Sequence, residues 1–183
     1  APGIPEGHPV IVAARELGVE ICSELELAYR FEQRRGIGSR PMVGITGTDG
    51  KTTTTLMAAA IIESAGLRTL AVGNTDVPLI SALDTDAQAF AVECSSFRLA
   101  HIQQFRMSAS AWLNFAPDHL DWHPNLNDYF AAKAKMWAHC IEGDIAVAPF
   151  DNQQIVDIAQ ASKARVVTFG IADGDYHVNE GWL

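Results

Sequence analysis

Basic residues are scarce: 13 Lys and Arg stand against 22 Asp and Glu in 183 residues, for a formal net charge of −9. No run of cations long enough to follow a nucleic-acid backbone is present, which argues against such a partner. Cysteine is equally sparse. Cys22, Cys94 and Cys140 are odd in number and widely spaced, which fits neither a disulfide framework nor a zinc ribbon and reads most simply as three reduced thiols. No apolar run reaches the ~20 residues that cross a bilayer, and the N-terminus has no basic-then-apolar leader. A cytoplasmic monomer without membrane insertion is expected. No internal repeat or low-complexity tract stands out. The chain is 48% hydrophobic, enough to bury the core of one domain with part of another.

The chain is organised around Met42 to Thr55, MVGITGTDGKTTTT. A short apolar run enters a glycine-bearing turn, followed by Lys51 and a row of threonines that opens an Ala-rich segment. Glycines let backbone N–H groups turn inward on an anion, and the following helix adds its positive end. Lys51 adds a mobile charge, and the Thr52 hydroxyl can ligate Mg²⁺. Gly47, Thr48, Asp49, Gly50, Lys51, Thr52 and Thr53 are therefore the candidate nucleotide-phosphate residues. Ile45 stands where the eight-residue form of this P-loop has Gly, so the match is the shorter G-x-x-G-K-T.

Strand and helix patterns alternate along the rest of the chain. Strands are expected at Pro41 to Thr46, Leu67 to Val72, Ala87 to Cys94, Met107 to Phe115, Asp144 to Ala148 and Arg165 to Phe169. Helices are expected at Thr52 to Ala65, Asp76 to Leu83, Asn127 to Cys140 and Asn152 to Ser162. This pattern predicts an α/β fold, a doubly wound, mostly parallel sheet whose ligands gather at the strands' C-terminal ends. Upstream, Pro9 to Leu17 reads as a helix stopped by Gly18, Val19 to Cys22 as a short strand, and Glu24 to Arg35 as a helix. Ser23 as its N-cap and Glu26 form an expected capping box. Gly36 to Pro41 cannot continue a helix and marks an expected domain boundary. Residues 1–36, too few for a core, are expected to be the last α-β-α piece of a preceding Rossmann-like domain, with 37–183 an incomplete central domain. The start at Ala1-Pro2-Gly3 without Met and the end at Gly181-Trp182-Leu183 fit a piece of a longer protein.

Polar residues recur where strands end: Thr46 to Thr52, Asn74, Glu93 with Ser95 and Ser96, and Asn114 to His123. A carboxylate ending a buried strand beside a P-loop is what Mg²⁺ needs, since the ion takes oxygen ligands and keeps several waters. Glu93 is read as that ligand, its alternative being a cap on the following turn. His119 and His123, four apart among Asp118 and Asp121, can orient phosphates, lend one metal ligand or cap a helix; a four-ligand transition-metal cage is not read from them. Lys133 and Lys135 sit in an Ala- and aromatic-rich helix, where a lysine ordinarily snorkels to solvent.

In this order, GITGTDGKTT, VGN at 72 to 74, ECSSFRL at 93 to 99, NFAPDHLDWH at 114 to 123 and YFAAKAKMW at 129 to 137 resemble the Mur ligases, the ATP-dependent amide ligases of peptidoglycan synthesis. The E-x-S-S-F-x-L form, the opening Ala1 to Ile4 with His8-Pro9, Glu24 to Leu27, and Gly174 to His177 are most similar to the D-glutamate-adding branch. The resemblance implies that ATP phosphorylates the carboxylate of UDP-N-acetylmuramoyl-L-alanine and that the D-glutamate amine attacks the acyl phosphate. It further implies Lys51, His119 and Lys133 as catalytic residues, with Thr52 and Glu93 at one Mg²⁺. His119 and a carbamylated Lys133 would serve a second, while Asn74, Ser95 and His119 would face the substrate. Residues 1–36 would then end a UDP-substrate domain, and the 183 residues alone are expected to be inactive. Asp49 where the family usually has Asn, Thr75-Asp76 where it has Ile-Gly, and Pro149 where Asn precedes the Asp151 turn depart from the pattern. Another Mur ligase, a folylpolyglutamate synthase-like ligase, a non-catalytic nucleotide-binding module, and a P-loop kinase or GTPase are the alternatives.

Overall fold

The computed structural model describes residues 4–178; the terminal residues quoted above at 1–3 and 181–183 lie outside them. Seven strands form one sheet in the order β2-β3-β1-β4-β5-β6-β7. They are β1 (Met42–Thr46), β2 (Thr69–Gly73), β3 (Ala89–Glu93), β4 (Ala109–Trp112), β5 (Ile145–Pro149), β6 (Arg165–Gly170) and β7 (Tyr176–His177). Every pairing is parallel. β3 is buried at all five positions, as a central parallel strand covered on both faces must be.

Between the strands lie α3 (Lys51–Ser64), α4 (Leu79–Ala82), α5 (Ser96–Leu99), α6 (Leu126–Ala134) and α7 (Gln153–Ala161); α1 (Pro9–Glu16) and α2 (Glu24–Glu32) precede them. The chain runs from β1 to one side of the sheet, returns, crosses β1 and continues outward through β4 to β7. With right-handed crossovers this reversal puts α3 and α7 on opposite faces. It also opens a crevice beside the carboxyl end of β1, where ligands of such sheets bind. Register levels the rim: Glu93 pairs with Ile45 on one side and Gly73 on the other, and Thr46 pairs with Trp112.

Four local expectations are corrected. Val19 to Cys22 is not a strand; it has no neighbouring strand to complete a ladder, and alternation alone cannot supply one. The helix expected over Asn127 to Cys140 is α6 followed by a 3₁₀ turn at Lys135–Trp137. The helix expected from Asp76 starts only after Pro78, because residues 73 to 77 form a turn closed by Gly73 N–H donating to the Val77 carbonyl at 2.9 Å. The capping box is half made. Ser23 Oγ accepts the Glu26 N–H at 3.3 Å, but the Glu26 carboxylate accepts the N–H groups of Gln103, Gln104 and Phe105 at 2.8, 3.0 and 2.9 Å.

That carboxylate is one of several ties between α2 and the sheet. Leu25 and Ala28 join Phe90, Val92, Trp112 and Met107 in the core. Glu32 holds Arg40 at 2.7 Å, and Arg40 in turn donates to the carbonyls of Leu83, Thr85 and Ala87. Among the described residues no helix is long and apolar enough to cross a membrane.

Candidate active site

At the crevice the backbone turns sharply from β1 into α3. Gly50, the N-cap of α3, has φ 78°, in the left-handed region that favours glycine, and no side chain caps the helix. The first-turn N–H groups of a 14-residue helix are thereby left to an outside acceptor. Lys51 Nζ donates to the Thr48 carbonyl at 2.7 Å, folded over the loop it follows.

A second strand end locks the loop. Asn114, just past β4, accepts the N–H groups of Thr48 and Asp49 on Oδ1, each at 2.9 Å, and donates Nδ2 to the Asp49 carbonyl at 3.1 Å. Thr48 Oγ1 lies 3.1 Å from the Ala116 carbonyl and 3.2 Å from the Tyr129 hydroxyl. The sequence expectations assign no role to Asn114 or Tyr129: the strand expected over Met107 to Phe115 contains Asn114, whereas β4 ends at Trp112 and leaves it at the rim, and Tyr129 reads only as a core aromatic.

On the opposite wall, Thr52 Oγ1 donates to Glu93 Oε2 at 2.7 Å and Asn74 Nδ2 to Glu93 Oε1 at 3.2 Å. Asn74 is delivered by Gly73, whose φ of 101° and 2.4 Å clearance between an added Cβ and the Glu93 carbonyl admit no side chain. Glu93 is 2% exposed, and its hydrogen-bond partners are neutral. A buried carboxylate without a contacting cation is costly, so this oxygen-rich corner suits a hard divalent ion. Ser95 Oγ is buried beside it without a hydrogen-bond partner. Among the described residues no three His, Cys, Asp or Glu side chains converge as a metal cage.

These side chains share one cleft of about 450 Å³, lined by Thr48 to Thr53, Asn74, Glu93, Ser95, Phe97, Asp118 and His119. A larger groove of about 750 Å³, between α6 and α7, is walled mainly by apolar residues such as Phe130, Trp137 and Ile158; the smaller cleft holds the convergent polar groups that chemistry requires. His119 has φ 53°, outside the usual range for a side-chain-bearing residue, and its N–H donates to Asp118 Oδ1 at 2.7 Å. Phe97 packs on its ring at 4.7 Å. Such backbone strain is retained where the surroundings over-determine it, as at functional sites. His123 is not in the cleft. It is buried, its Nε2 is 2.9 Å from Ser96 Oγ, and burial followed by the nearby His119 lowers its pKa.

Lys133 does not line the cleft either. It is 1% exposed, and its Nζ donates to the Gly47 carbonyl at 2.7 Å from behind the loop and lies 4.7 Å from the centre of the Tyr129 ring. Burial, reinforced by the charge of Lys51, brings its pKa down to about 7. The snorkelling expected of a helix-surface lysine does not occur. Tyr129 is shifted upward, chiefly by burial, with the carboxylates of Asp118 and Asp49 adding to it.

The family model for the Mur ligase middle domain matches residues 45–181. The chain belongs to the Mur ligase family. It is 42% identical over 172 residues to the UDP-N-acetylmuramoylalanine–D-glutamate ligase of Anaeromyxobacter dehalogenans, covering 93% of this chain and 36% of that one. To the ligase of the same name from Mycobacterium avium it is 39% identical over 167 residues, covering 91% and 33%. This Mur ligase chain thus spans about a third of the length of those curated relatives. Among solved structures, a UDP-N-acetylmuramoyl-L-alanyl-D-glutamate–2,6-diaminopimelate ligase superposes with a TM-score of 0.68 at 21% identity, over 85% of this chain and 38% of the other. MurF ligase from Thermotoga maritima in complex with ADP gives 0.64 at 23%, over 83% and 37%. These likenesses bear out the α/β Mur ligase fold.

Proposed function

We propose that this chain is the ATP-binding part of a ligase that joins D-glutamate to UDP-N-acetylmuramoyl-L-alanine in peptidoglycan precursor synthesis. What carries the proposal is the convergence of Lys51, Thr52, Asn74, Glu93, Ser95 and His119 on one cleft, in a chain 42% identical to a D-glutamate ligase. The Gly47 to Thr53 backbone and Lys51 hold the nucleotide phosphates, and Asn114 keeps the loop's shape. Thr52 and Glu93 would hold Mg²⁺, which when bound supplies positive charge against the phosphates.

The chemistry has two displacements. The substrate carboxylate takes the γ-phosphoryl group of ATP, the bond to ADP breaks, and an acyl phosphate results. The D-glutamate amine then attacks the acyl carbon, phosphate leaves and the nitrogen loses a proton. Asn74 and Ser95 orient the carboxylate substrate; Ser95 lines the cleft, and its hydroxyl is buried with no partner among the described residues. His119, held by Asp118 and Phe97, faces the same space. Lys133 is positioned as a buried amine whose pKa near 7 leaves a large neutral fraction at physiological pH. That neutral form can add CO₂ with loss of a proton, giving a carbamate; to serve as a carboxylate-like ligand for a second Mg²⁺ the side chain would have to leave the Gly47 carbonyl, since it does not line the cleft in this structure.

The test follows phosphate release by the full gene product with ATP, Mg²⁺ and UDP-N-acetylmuramoyl-L-alanine, adding D-glutamate, L-lysine or no amine. Release that requires D-glutamate is expected. Release with L-lysine instead would assign a different Mur ligase reaction, and none with any amine would leave a ligase for another acid substrate or a non-catalytic nucleotide-binding module.

A further inference from the structure

α2 grips the cleft wall that carries Ser95 and Phe97 and reaches across to the segment that carries Asn74. Its first residue, Glu24, makes two bonds of different kinds. Oε1 accepts the N–H of Ile80 at 2.6 Å, and Oε2 pairs with the guanidinium of Arg98. Ile80 lies in the first turn of α4, whose N-cap is Pro78 and which has no side-chain cap of its own; Glu24 supplies that cap from a distant part of the chain. α4 anchors the downstream end of the 73–77 turn, on which Asn74 sits. Arg98 lies in α5, next to Phe97.

The grip on α5 continues past its C-terminal end. The His101 carbonyl accepts the Ser23 N–H at 3.0 Å, and the N–H groups of Gln103 to Phe105 end on Glu26. Because Ser23 to Glu26 hold residues 98 to 105 at several points, a shift of α2 must carry α5 with it. α2 also packs against α4 in the core, and of the hydrogen bonds made by Ser23 to Glu26 it is Glu24's that reaches α4. By contrast, the loop from Gly47 to Gly50 is held by Asn114 and makes no hydrogen bond to α2 among the described residues.

We infer that Glu24 is a positioning residue that sets Asn74, Ser95 and Phe97 relative to the phosphate loop, so that the placement of α2 governs the acceptor-carboxylate side of the cleft and not its nucleotide side. This rests on the assignment of that side to the carboxylate substrate. Its chemistry is specific: a carboxylate satisfies one helix N-terminus and one guanidinium together, whereas an amide of equal size keeps one acceptor oxygen and removes the charge that both partners favour.

The test has two arms. In the 183-residue chain, hydrogen exchange is compared between wild type and Glu24→Gln, with Arg98→Gln as a second variant that spares the α4 cap. Glu24→Gln is expected to speed exchange at least fivefold at Ile80, in the 73–77 turn and at the N–H groups of α5, leaving Thr48 and Asp49 unchanged; Arg98→Gln is expected to speed it in α5 only. Faster exchange at Ile80 alone would reduce Glu24 to a helix cap, and uniformly faster exchange would make it a general stabiliser; either overturns the inference. In the full gene product, Glu24→Gln is expected to raise the KM for the UDP-linked substrate about tenfold with the KM for ATP within twofold. An equal rise in both would contradict it. If wild type makes no amide, the functional assignment fails while the exchange arm still decides the coupling.

Discussion

Two lysines hold the same loop from opposite sides. Lys51 reaches the Thr48 carbonyl from the cleft, and Lys133 reaches the neighbouring Gly47 carbonyl from the interior, both at 2.7 Å. The bonds are alike but the surroundings differ. Lys51 is half-buried at the mouth of a polar cleft, whereas Lys133 is enclosed by Tyr129 and the loop, and burial takes its pKa to about 7. The cation proposed to meet phosphate sits where solvent reaches it. An amine kept dry gives up its proton easily and becomes available for chemistry that needs the neutral form.

The largest effect should come from the cleft side. Lys51→Ala is expected to weaken nucleotide binding at least a hundredfold in calorimetric titration while moving the thermal midpoint by no more than a few degrees. Equal losses in both quantities would mean that the two lysines do not differ in role. On the interior side, Lys133→Met should change the pH dependence of folding. The folded pKa lies below the ordinary 10.5, so between about pH 7 and 10.5 the unfolded chain binds the extra proton. Stability therefore rises with pH through that window, and the full penalty remains below it. Burial also raises the pKa values of Cys94, Cys140 and Tyr129, which titrate in both proteins, so the difference between them is read: in denaturant unfolding in CO₂-free buffer, wild type should gain ~2–5 kcal/mol relative to Lys133→Met across the window. A difference that does not change with pH would remove the distinction between the lysines.

Smaller effects sharpen the comparison. Asn114→Ala deprives two loop N–H groups of their acceptor; a loss of ~1–3 kcal/mol in nucleotide affinity is expected, with Thr48 and Asp49 exchanging faster. Away from the cleft, Glu26→Gln tests a charge used purely for structure. Burial alone would raise the Glu26 pKa, but the three backbone N–H groups and Arg30 outweigh it and hold it below the ordinary 4.5. Its stabilisation is present above that value and is lost as pH falls through the folded pKa. Glu26→Gln should therefore cost ~1–2 kcal/mol at pH 7 and flatten the acid limb of the stability curve, leaving nucleotide binding intact.

The phosphate loop was legible because its determinants are local: glycines, a lysine and a hydroxyl within a few residues, flanked by a strand and a helix. The other strand ends were legible as polar residues breaking apolar runs, which is how Asn74, Glu93, Ser95 and His119 could be placed on one rim before their contacts were known. Lys133 was different. It stands four residues after Tyr129 and four before Trp137, so helical spacing puts it on their apolar face, but a lysine there ordinarily snorkels to solvent, and the resemblance to Mur ligases, not the pattern, singled it out. Val19 to Cys22 misled because a strand needs a partner that alternation cannot provide. Glu26 misled because a capping box and a distant set of N–H groups compete for the same carboxylate. Asn114's clamp, Tyr129's hydroxyl and Glu24's bridge depend on strand register and loop closure, which no local window contains.

The most direct test is titration of ADP into the 183-residue chain, with and without Mg²⁺, for wild type and Lys51→Ala. Binding by wild type that strengthens with Mg²⁺ and disappears in Lys51→Ala is the predicted result. Absence of binding by a folded wild-type chain, or binding indifferent to both Mg²⁺ and Lys51, would contradict the assignment of the cleft to nucleotide phosphates.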